Sequence, residues 1–120
     1  MNIIQDISVE DVQACQDKYI LVDVREPHEL LGSEGFIEEA ILFSLGPILL
    51  QFLDSADPSK AYVFICRSGC RSGKACEMAT AYGFRNVYNL KGGMLAWNEN
   101  KKNLTNEGIN GTTKPSAVNE

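Results

Sequence analysis

Residues 61–73 indicate both the fold of this chain and its chemistry, and they have the sequence Ala61-Tyr62-Val63-Phe64-Ile65-Cys66-Arg67-Ser68-Gly69-Cys70-Arg71-Ser72-Gly73. The apolar run 61–65 predicts a buried strand, and the pattern from Lys74 to Tyr82 predicts a helix. Cys66 therefore lies at the carboxyl end of a strand, on a short loop that faces a helix N-terminus. The N–H groups of such a loop and the helix dipole both favour an anion there. We expect Cys66 to form a thiolate at neutral pH and to act as a nucleophile.

Two arginines follow Cys66 in the same loop. Arg67 and Arg71 add permanent positive charge beside the thiol, in a chain with 11 basic and 16 acidic residues and a formal net charge of −5. Cations near a thiol lower its pKa and also bind anions. We therefore expect both arginines to bind an anionic substrate. Bracing the loop is an alternative role for Arg71, and it is compatible with anion binding.

Length and composition indicate one domain of ordinary globular type. The chain has 120 residues, of which 44% are hydrophobic and 22% charged, enough for one hydrophobic core. Its acidic balance argues against a nucleic-acid surface, which must neutralise many phosphates. No run approaches the roughly 20 apolar residues of a membrane span. Residues 1–6 lack the basic and apolar pattern of a secretory signal, so a cytoplasmic location is expected.

The cysteines are predicted to be free thiols in a reducing compartment. Four are present, at positions 15, 66, 70 and 76. Paired Cys-x2-Cys spacing is missing, and the single histidine, His28, is distant from them in sequence. We therefore expect neither a metal site nor a cofactor.

Alternating strand and helix signals predict an α/β fold. Strands are expected at 3–4, 19–22, 40–43, 61–65 and 87–90, and helices at 9–16, 27–31, 45–53, 72–82 and 94–101. This order favours a parallel sheet with helices on both faces, in which ligands bind beyond the carboxyl ends of the strands. Residues 103–120 contain few large apolar groups, and we expect them to form a disordered tail.

Three stretches resemble the signatures of rhodanese-like domains. The first is Leu21-Val22-Asp23-Val24-Arg25-Glu26-Pro27-His28-Glu29. The second is the loop 66–72, and the third is Gly83-Phe84-Arg85-Asn86-Val87-Tyr88-Asn89-Leu90-Lys91-Gly92-Gly93-Met94-Leu95-Ala96-Trp97. The resemblance implies a rhodanese-like domain over residues 1–102, with a five-stranded, mainly parallel sheet. It also implies that Cys66 accepts a sulfane sulfur as a persulfide and passes it to cyanide or a thiol.

The resemblance also assigns the substrate site to the loop. We expect Cys66 to be catalytic, and the donor to be bound by Arg67, Ser68, Gly69, Cys70 and Arg71. In this family, an arginine directly after the cysteine resembles members that use thiosulfate, whose sulfonate end Arg67 would bind. The expected partners are such an anionic donor and a thiol or cyanide acceptor, with a protein as a further candidate acceptor. Residues 35–40 depart from the family pattern Gly-His-Ile-Pro-Gly-Ala, which leaves the acceptor open.

Loop length distinguishes the possible activities of this fold. The segment from Cys66 to Arg71 has six residues, which resembles sulfurtransferases. The related phosphatases and arsenate reductases have one residue more, which gives a wider ring of N–H groups for a tetrahedral oxyanion. A sulfurtransferase is therefore the first hypothesis. The alternatives are a rhodanese-like regulatory or protein-binding module and, after that, a phosphatase or arsenate reductase.

Other residues near these motifs have structural and functional interpretations. We favour a structural ion pair for Asp23 and Arg25, an exposed and non-catalytic His28, and a packing role for Trp97. Cys70 is either a resolving thiol that reacts with the Cys66 persulfide or a small side chain pointing out of the loop, and we favour the second. The two remaining cysteines, Cys15 and Cys76, are expected to pack in the interior.

Overall fold

Strand β4 (Ala61–Ile65) is the middle strand of a parallel sheet. The structure, a computed structural model, describes the backbone of residues 4–110 and the side chains of residues 4–102. Within this part of the chain the other strands are β1 (Gln5–Ile7), β2 (Ile20–Asp23), β3 (Ile41–Leu42) and β5 (Asn86–Leu90). They lie in the order β1-β5-β4-β2-β3, and every neighbouring pair is parallel. The predicted five-stranded α/β sheet is confirmed.

Helices cover both faces of this sheet, as predicted. Among the described residues the α-helices are α1 (Val9–Ala14), α2 (Pro47–Ser55), α3 (Cys70–Ala81) and α4 (Gly93–Asn110), and 3₁₀ helices span Gln16–Lys18 and Pro27–Leu31. Tyr62 and Phe64 of β4 belong to the core beneath α2 and α3, because side chains alternate along a strand. Val63 belongs to the core on the other face, beneath α1 and α4. In residues 4–110 no helix is both long and apolar enough to cross a bilayer.

Several element ends differ from the sequence prediction. The N-terminal edge strand occupies Gln5–Ile7, because pairing with β5 aligns the buried Ile7 with Leu90. Of the strand predicted at 3–4, residue 4 precedes β1 and residue 3 lies outside the described residues. Helix α3 begins at Cys70 instead of residue 72, because Gly69 has φ = +111° and turns the chain into the helix early. Helix α4 continues to Asn110, so residues 103–110 of the expected tail are helical. Residues 111–120 lie outside the described part of the chain.

Most of the predicted packing positions are correct. Cys76 is buried in the α2–α3 core and Trp97 in the opposite one. Cys15, which we expected to be interior, is only partly buried at the end of α1. On α3, Ala75 and Ala79 are buried as expected. Tyr82, expected on the same face, is 44% exposed, because the helix ends at Ala81 and its side chain lies past the core.

A buried ion pair follows the end of β2. Arg25 Nε donates to the two carboxylate oxygens of Asp23 at 3.0 and 3.1 Å, and its Nη2 donates to Oδ2 at 2.8 Å. Both residues are almost completely buried. The same Nη2 donates to the carbonyl of Gly35 at 2.8 Å. The structural pair expected from sequence is present, and it also anchors the segment around Gly35.

Arg25→Met should destabilise the protein strongly, because it removes the guanidinium donors of the Gly35 carbonyl and of the buried Asp23 carboxylate, which keeps only the backbone N–H of residue 25 at 3.0 Å. Removing one partner of a buried pair costs about 3–5 kcal/mol. We expect that loss in the free energy of unfolding measured with urea. The control is Arg85→Met, since Arg85 is exposed. A loss of less than about 1 kcal/mol, the range of an exposed ion pair, would contradict this role.

Candidate active site

The site is built on the segment that joins β4 to α3. Cys66 directly follows β4 and is 1% exposed. The backbone N–H of Gly69 donates to Cys66 Sγ at 3.0 Å. The left-handed conformation of Gly69 allows this close return of the chain, since side chains are strained at such φ values. The loop therefore curls around the sulfur, as the sequence predicted.

The N-terminus of α4 fixes the outer side of the same loop. The N–H of Met94 donates to the Cys66 carbonyl at 2.8 Å, and that of Leu95 donates to the Arg67 carbonyl at 3.1 Å. Gly93, with φ = +58°, makes this approach possible. A Cβ there would overlap the Cys66 carbonyl oxygen and lie 2.6 Å from the carbonyl carbon and oxygen of Arg67. Because these two carbonyls face α4, the loop can direct N–H groups at the sulfur.

A side-chain hydroxyl completes the surroundings of the sulfur. Ser72, fully buried in the first turns of α3, has its Oγ 3.2 Å from Cys66 Sγ. The hydroxyl also donates to Oδ1 of Asn89, a residue of β5. The other end of that amide, Nδ2, donates to the carbonyl of Gly69 at 3.0 Å. Residues from β4, α3 and β5 therefore meet at Cys66.

The pKa of the Cys66 thiol is below its ordinary value. Burial by itself raises this pKa, because it disfavours the charged form. The hydroxyl of Ser72 and the backbone N–H groups of Ser72, Gly69 and Ser68 act in the opposite direction and outweigh burial. This is the direction expected for a thiolate. The main groups that lower the pKa are these neutral donors, whereas the sequence argument relied also on the arginines, of which Arg71 interacts electrostatically with Cys66.

Arg71 is held by a carboxylate that the sequence analysis did not identify. Its Nη1 and Nη2 donate to the two oxygens of Glu29 at 2.7 and 2.9 Å. Glu29 lies in the 3₁₀ helix Pro27–Leu31 and also accepts from the N–H of Glu26 at 2.9 Å. The hydrogen bond from Arg71 has the largest effect on Glu29, and together with the bond from Glu26 it lowers the pKa of Glu29 to about 2, although burial acts in the opposite direction. The same ion pair raises the pKa of Arg71. The bracing role considered for Arg71 is present.

Arg67 has a much looser environment. Its side chain is 54% exposed, and its Nε is 3.6 Å from Glu34 Oε2, beyond hydrogen-bond distance. The backbone of Glu34 is fixed by Asn98, whose Nδ2 donates to the Glu34 carbonyl at 2.9 Å, and the next residue is Gly35, which Arg25 binds. Arg67 is therefore the loop arginine that can turn toward a ligand.

The remaining candidates are distributed as follows. Cys70 is exposed at the start of α3 and Ser68 is exposed in the loop. His28 is exposed in the first turn of the 3₁₀ helix. Cys76 is buried, and its burial raises the pKa of the thiol to about 12, so it is not a nucleophile. Within residues 4–102 no three His, Cys, Asp or Glu side chains are grouped so that they could hold a metal ion.

Four residues of the site were missing from the candidate set. Ser72 lies within the second quoted family stretch, and a hydroxyl next to a Cys–Arg loop was a usable signal for it. Glu29 lies in the first stretch, 42 residues from Arg71, and only the fold brings it to the loop. Asn89 lies in the third stretch, where residues 87–90 were interpreted only as a strand. Glu34 had no signal, because its position depends on the fold of the segment before β3.

Comparison with known proteins agrees with this geometry. The family model of the rhodanese-like domain matches residues 8–100. The candidate sulfurtransferase YtwF of Bacillus subtilis is 42% identical over 88 residues, 73% of this chain and 81% of that protein. Thiosulfate sulfurtransferase GlpE of Shewanella oneidensis is 33% identical over 90 residues, 73% of this chain and 85% of that one. The crystal structure of a rhodanese-related protein from Thermoplasma volcanium superposes with a TM-score of 0.66 at 29% identity, covering 80% of this chain and 92% of the other. A match over most of the chain, together with the cysteine loop between β4 and α3, establishes that this protein belongs to the rhodanese-like domain family.

Proposed function

We propose that this protein is a sulfurtransferase in which Cys66 carries the transferred sulfur as a persulfide. One observation carries the proposal: the Cys66 sulfur is buried, accepts the Gly69 N–H at 3.0 Å and lies 3.2 Å from the Ser72 hydroxyl. These donors stabilise a thiolate without a general base, so the exposed His28 is not needed. Similarity to sulfurtransferases of the same family supports the assignment.

The proposed reaction has two sulfur-transfer steps. With thiosulfate as the donor, the Cys66 thiolate attacks the outer sulfur, a new S–S bond forms, and the old S–S bond breaks. Its electron pair leaves with sulfite, and Cys66 becomes a persulfide anion. Cyanide or a thiolate then attacks the terminal sulfur and leaves as thiocyanate or as a new persulfide, which restores the Cys66 thiolate. Charge and sulfur balance in each step, and no metal or redox cofactor takes part.

The surroundings of the loop favour Arg67 as the group that binds an anionic donor. Arg71 is already neutralised by two short bonds to Glu29, and its release would break a partly buried pair. Arg67 faces Glu34 at 3.6 Å and is more than half exposed. A sulfonate could therefore replace Glu34 as the partner of Arg67 with little loss of stabilising interaction. We propose that Arg71 shapes the loop while Arg67 binds the donor.

Replacing Cys66 by serine should abolish transfer of sulfur from thiosulfate to cyanide, because the oxygen cannot carry the sulfane sulfur. Thiocyanate formation is the measurement, with circular dichroism to show that the fold is kept. Cys70→Ser is the matched control in the same loop, and it should keep most of the activity, since the Cys70 side chain is exposed. Activity in Cys66→Ser would refute the proposal. A collapse of activity in Cys70→Ser would make Cys70 a resolving thiol.

Arg67→Ala should raise the KM for thiosulfate about tenfold, which corresponds to one lost charge-assisted hydrogen bond. Glu34→Gln should lower the same KM, because the carboxylate then no longer competes with the donor for Arg67. Glu38→Gln is the control, since Glu38 is an exposed acid nearby in sequence. Steady-state kinetics at constant ionic strength would measure both effects. An unchanged KM in Arg67→Ala would show that the donor binds elsewhere.

Hydrolysis of aryl phosphates should be negligible, because the six-residue loop is one residue shorter than the phosphate cradles of related phosphatases. The measurement compares release of an aryl alcohol with release of thiocyanate by the same preparation. Appreciable phosphatase turnover that is lost in Cys66→Ser would support the phosphatase alternative. A protein inactive with both substrates would support the regulatory or binding alternative.

A further inference from the structure

One amide side chain holds two of the groups that contact the Cys66 sulfur. Asn89 Oδ1 accepts the hydroxyl of Ser72, and Asn89 Nδ2 donates to the carbonyl of Gly69 at 3.0 Å. Ser72 Oγ and the Gly69 N–H are in turn two of the hydrogen-bond partners of Cys66 Sγ, at 3.2 and 3.0 Å. The contacts form a closed ring from the sulfur through Ser72, Asn89 and Gly69 back to the sulfur.

The orientation of this amide is determined by its neighbours. A carbonyl oxygen only accepts hydrogen bonds, so the Gly69 carbonyl requires the NH₂ end of Asn89 on its side. The Oδ1 end is then directed at Ser72. Strand β5 is paired on both sides at this residue, with Asp6 of β1 and Phe64 of β4, which fixes the Asn89 backbone. Asn89 is therefore a rigid support that reaches the loop from an inner strand.

The ring also has two arrangements of its single hydroxyl proton. While Cys66 is a thiol, its S–H can donate to Ser72 Oγ, and the Ser72 hydroxyl donates to Asn89 Oδ1. When Cys66 loses its proton to water, the sulfur only accepts, and the Ser72 hydroxyl can turn from Asn89 to the sulfur. Asn89 is a neutral acceptor, so it competes only weakly with a thiolate for this proton. Asn89 therefore holds the Ser72 hydroxyl near the sulfur while Cys66 is a thiol, and it releases that hydroxyl to the sulfur when Cys66 is a thiolate.

We propose that Asn89 is a positioning residue that sets the acidity and reactivity of Cys66 through Ser72 and Gly69. The proposal rests on the role of Cys66 as the nucleophile in the proposed function. It assigns to β5 a part in the chemistry that is separate from substrate binding. The hydrogen bonds of the Asn89 side chain are with Ser72 and Gly69, and Asn89 acts by holding these two donors.

The charged groups around Cys66 occur as pairs, which makes the neutral ring the variable part of its environment. The pairs are Arg71 with Glu29, Asp23 with Arg25, and Arg67 with Glu34. Helix α4 contributes backbone N–H groups from Met94 and Leu95, and Lys91 between β5 and α4 is exposed. None of these groups is removed by a substitution at Asn89.

The pH dependence of Cys66 alkylation by iodoacetamide tests the proposal. Trypsin cuts after Lys60, Arg67 and Arg71, so Cys66 and Cys70 fall in separate peptides and their rates can be measured separately. In Asn89→Ala both donors lose their support, and we expect the pKa of Cys66 to rise by about one unit or more. In Asn89→Asp, which keeps the shape, the carboxylate retains the Ser72 proton and cannot donate to Gly69. We expect a larger rise in that variant.

Two controls separate this role from a structural one. Asn86→Ala replaces another asparagine of β5, and it should leave the pKa of Cys66 unchanged. The Asn86 side chain is exposed, and its Nδ2 donates to the carbonyl of Ser59 at 3.3 Å. Ser72→Ala should raise the pKa of Cys66. In the double variant Ser72→Ala/Asn89→Ala, the pKa of Cys66 should rise by less than the sum of the two single effects. Unchanged pKa values in folded Asn89→Ala and Asn89→Asp, or full additivity with Ser72→Ala, would overturn the proposal.

Alkylation does not depend on sulfur transfer, so the two proposals can fail separately. If Asn89 variants shift the pKa of Cys66 but wild-type protein transfers no sulfur, the positioning role stands and the proposed function fails. If wild-type protein transfers sulfur and substitutions at Asn89 do not change the pKa of Cys66, the proposed function stands and the positioning role fails.

Discussion

The direction of the peptide groups in the cysteine loop is the constraint on which the site depends. Two carbonyls of the loop accept hydrogen bonds from the first N–H groups of α4, and this is possible because Gly93 has no side chain to collide with them. The Ser68 N–H, which shares a peptide group with the Arg67 carbonyl, then faces Cys66, and the Gly69 N–H donates to Cys66 Sγ. A buried sulfur would otherwise hold its proton, since burial raises a thiol pKa. The Gly92-Gly93 pair at the start of α4 is therefore part of the architecture of the site.

The positive charges of the loop arginines are balanced by nearby carboxylates, which the sequence of the loop alone does not show. Each loop arginine faces a glutamate, but the two pairs differ in strength. The Arg71–Glu29 pair has two short hydrogen bonds and stays formed down to the pKa of Glu29 at about 2, so it behaves as a permanent part of the fold. The Arg67–Glu34 contact is long and exposed, and such pairs contribute little to stability. Arg71 therefore braces the loop, and Arg67 is the arginine that we propose for binding the donor.

The sequence predicted the architecture and the position of Cys66 at a strand end because both depend on local patterns. Apolar runs located β2, β4 and β5, and the run 61–65 placed Cys66 at a strand end. What it missed depends on contacts between distant segments: Glu29 is 42 residues from its partner Arg71, and Asn89 is 20 residues from Gly69. The early start of α3 depends on one glycine conformation, and the long α4 depends on helix propagation from an anchored first turn. Local composition carries neither signal.

The central claim is that the loop makes Cys66, and not a neighbouring thiol, the carrier of sulfur. The most direct measurement is the mass of the tryptic peptides after incubation of wild-type protein with thiosulfate in the absence of reductant. The account predicts that the peptide of residues 61–67, which contains Cys66, becomes one sulfur atom heavier. The peptide of residues 68–71, which contains Cys70, should keep its mass. Added sulfur on the Cys70 peptide, or on neither peptide, would contradict the account.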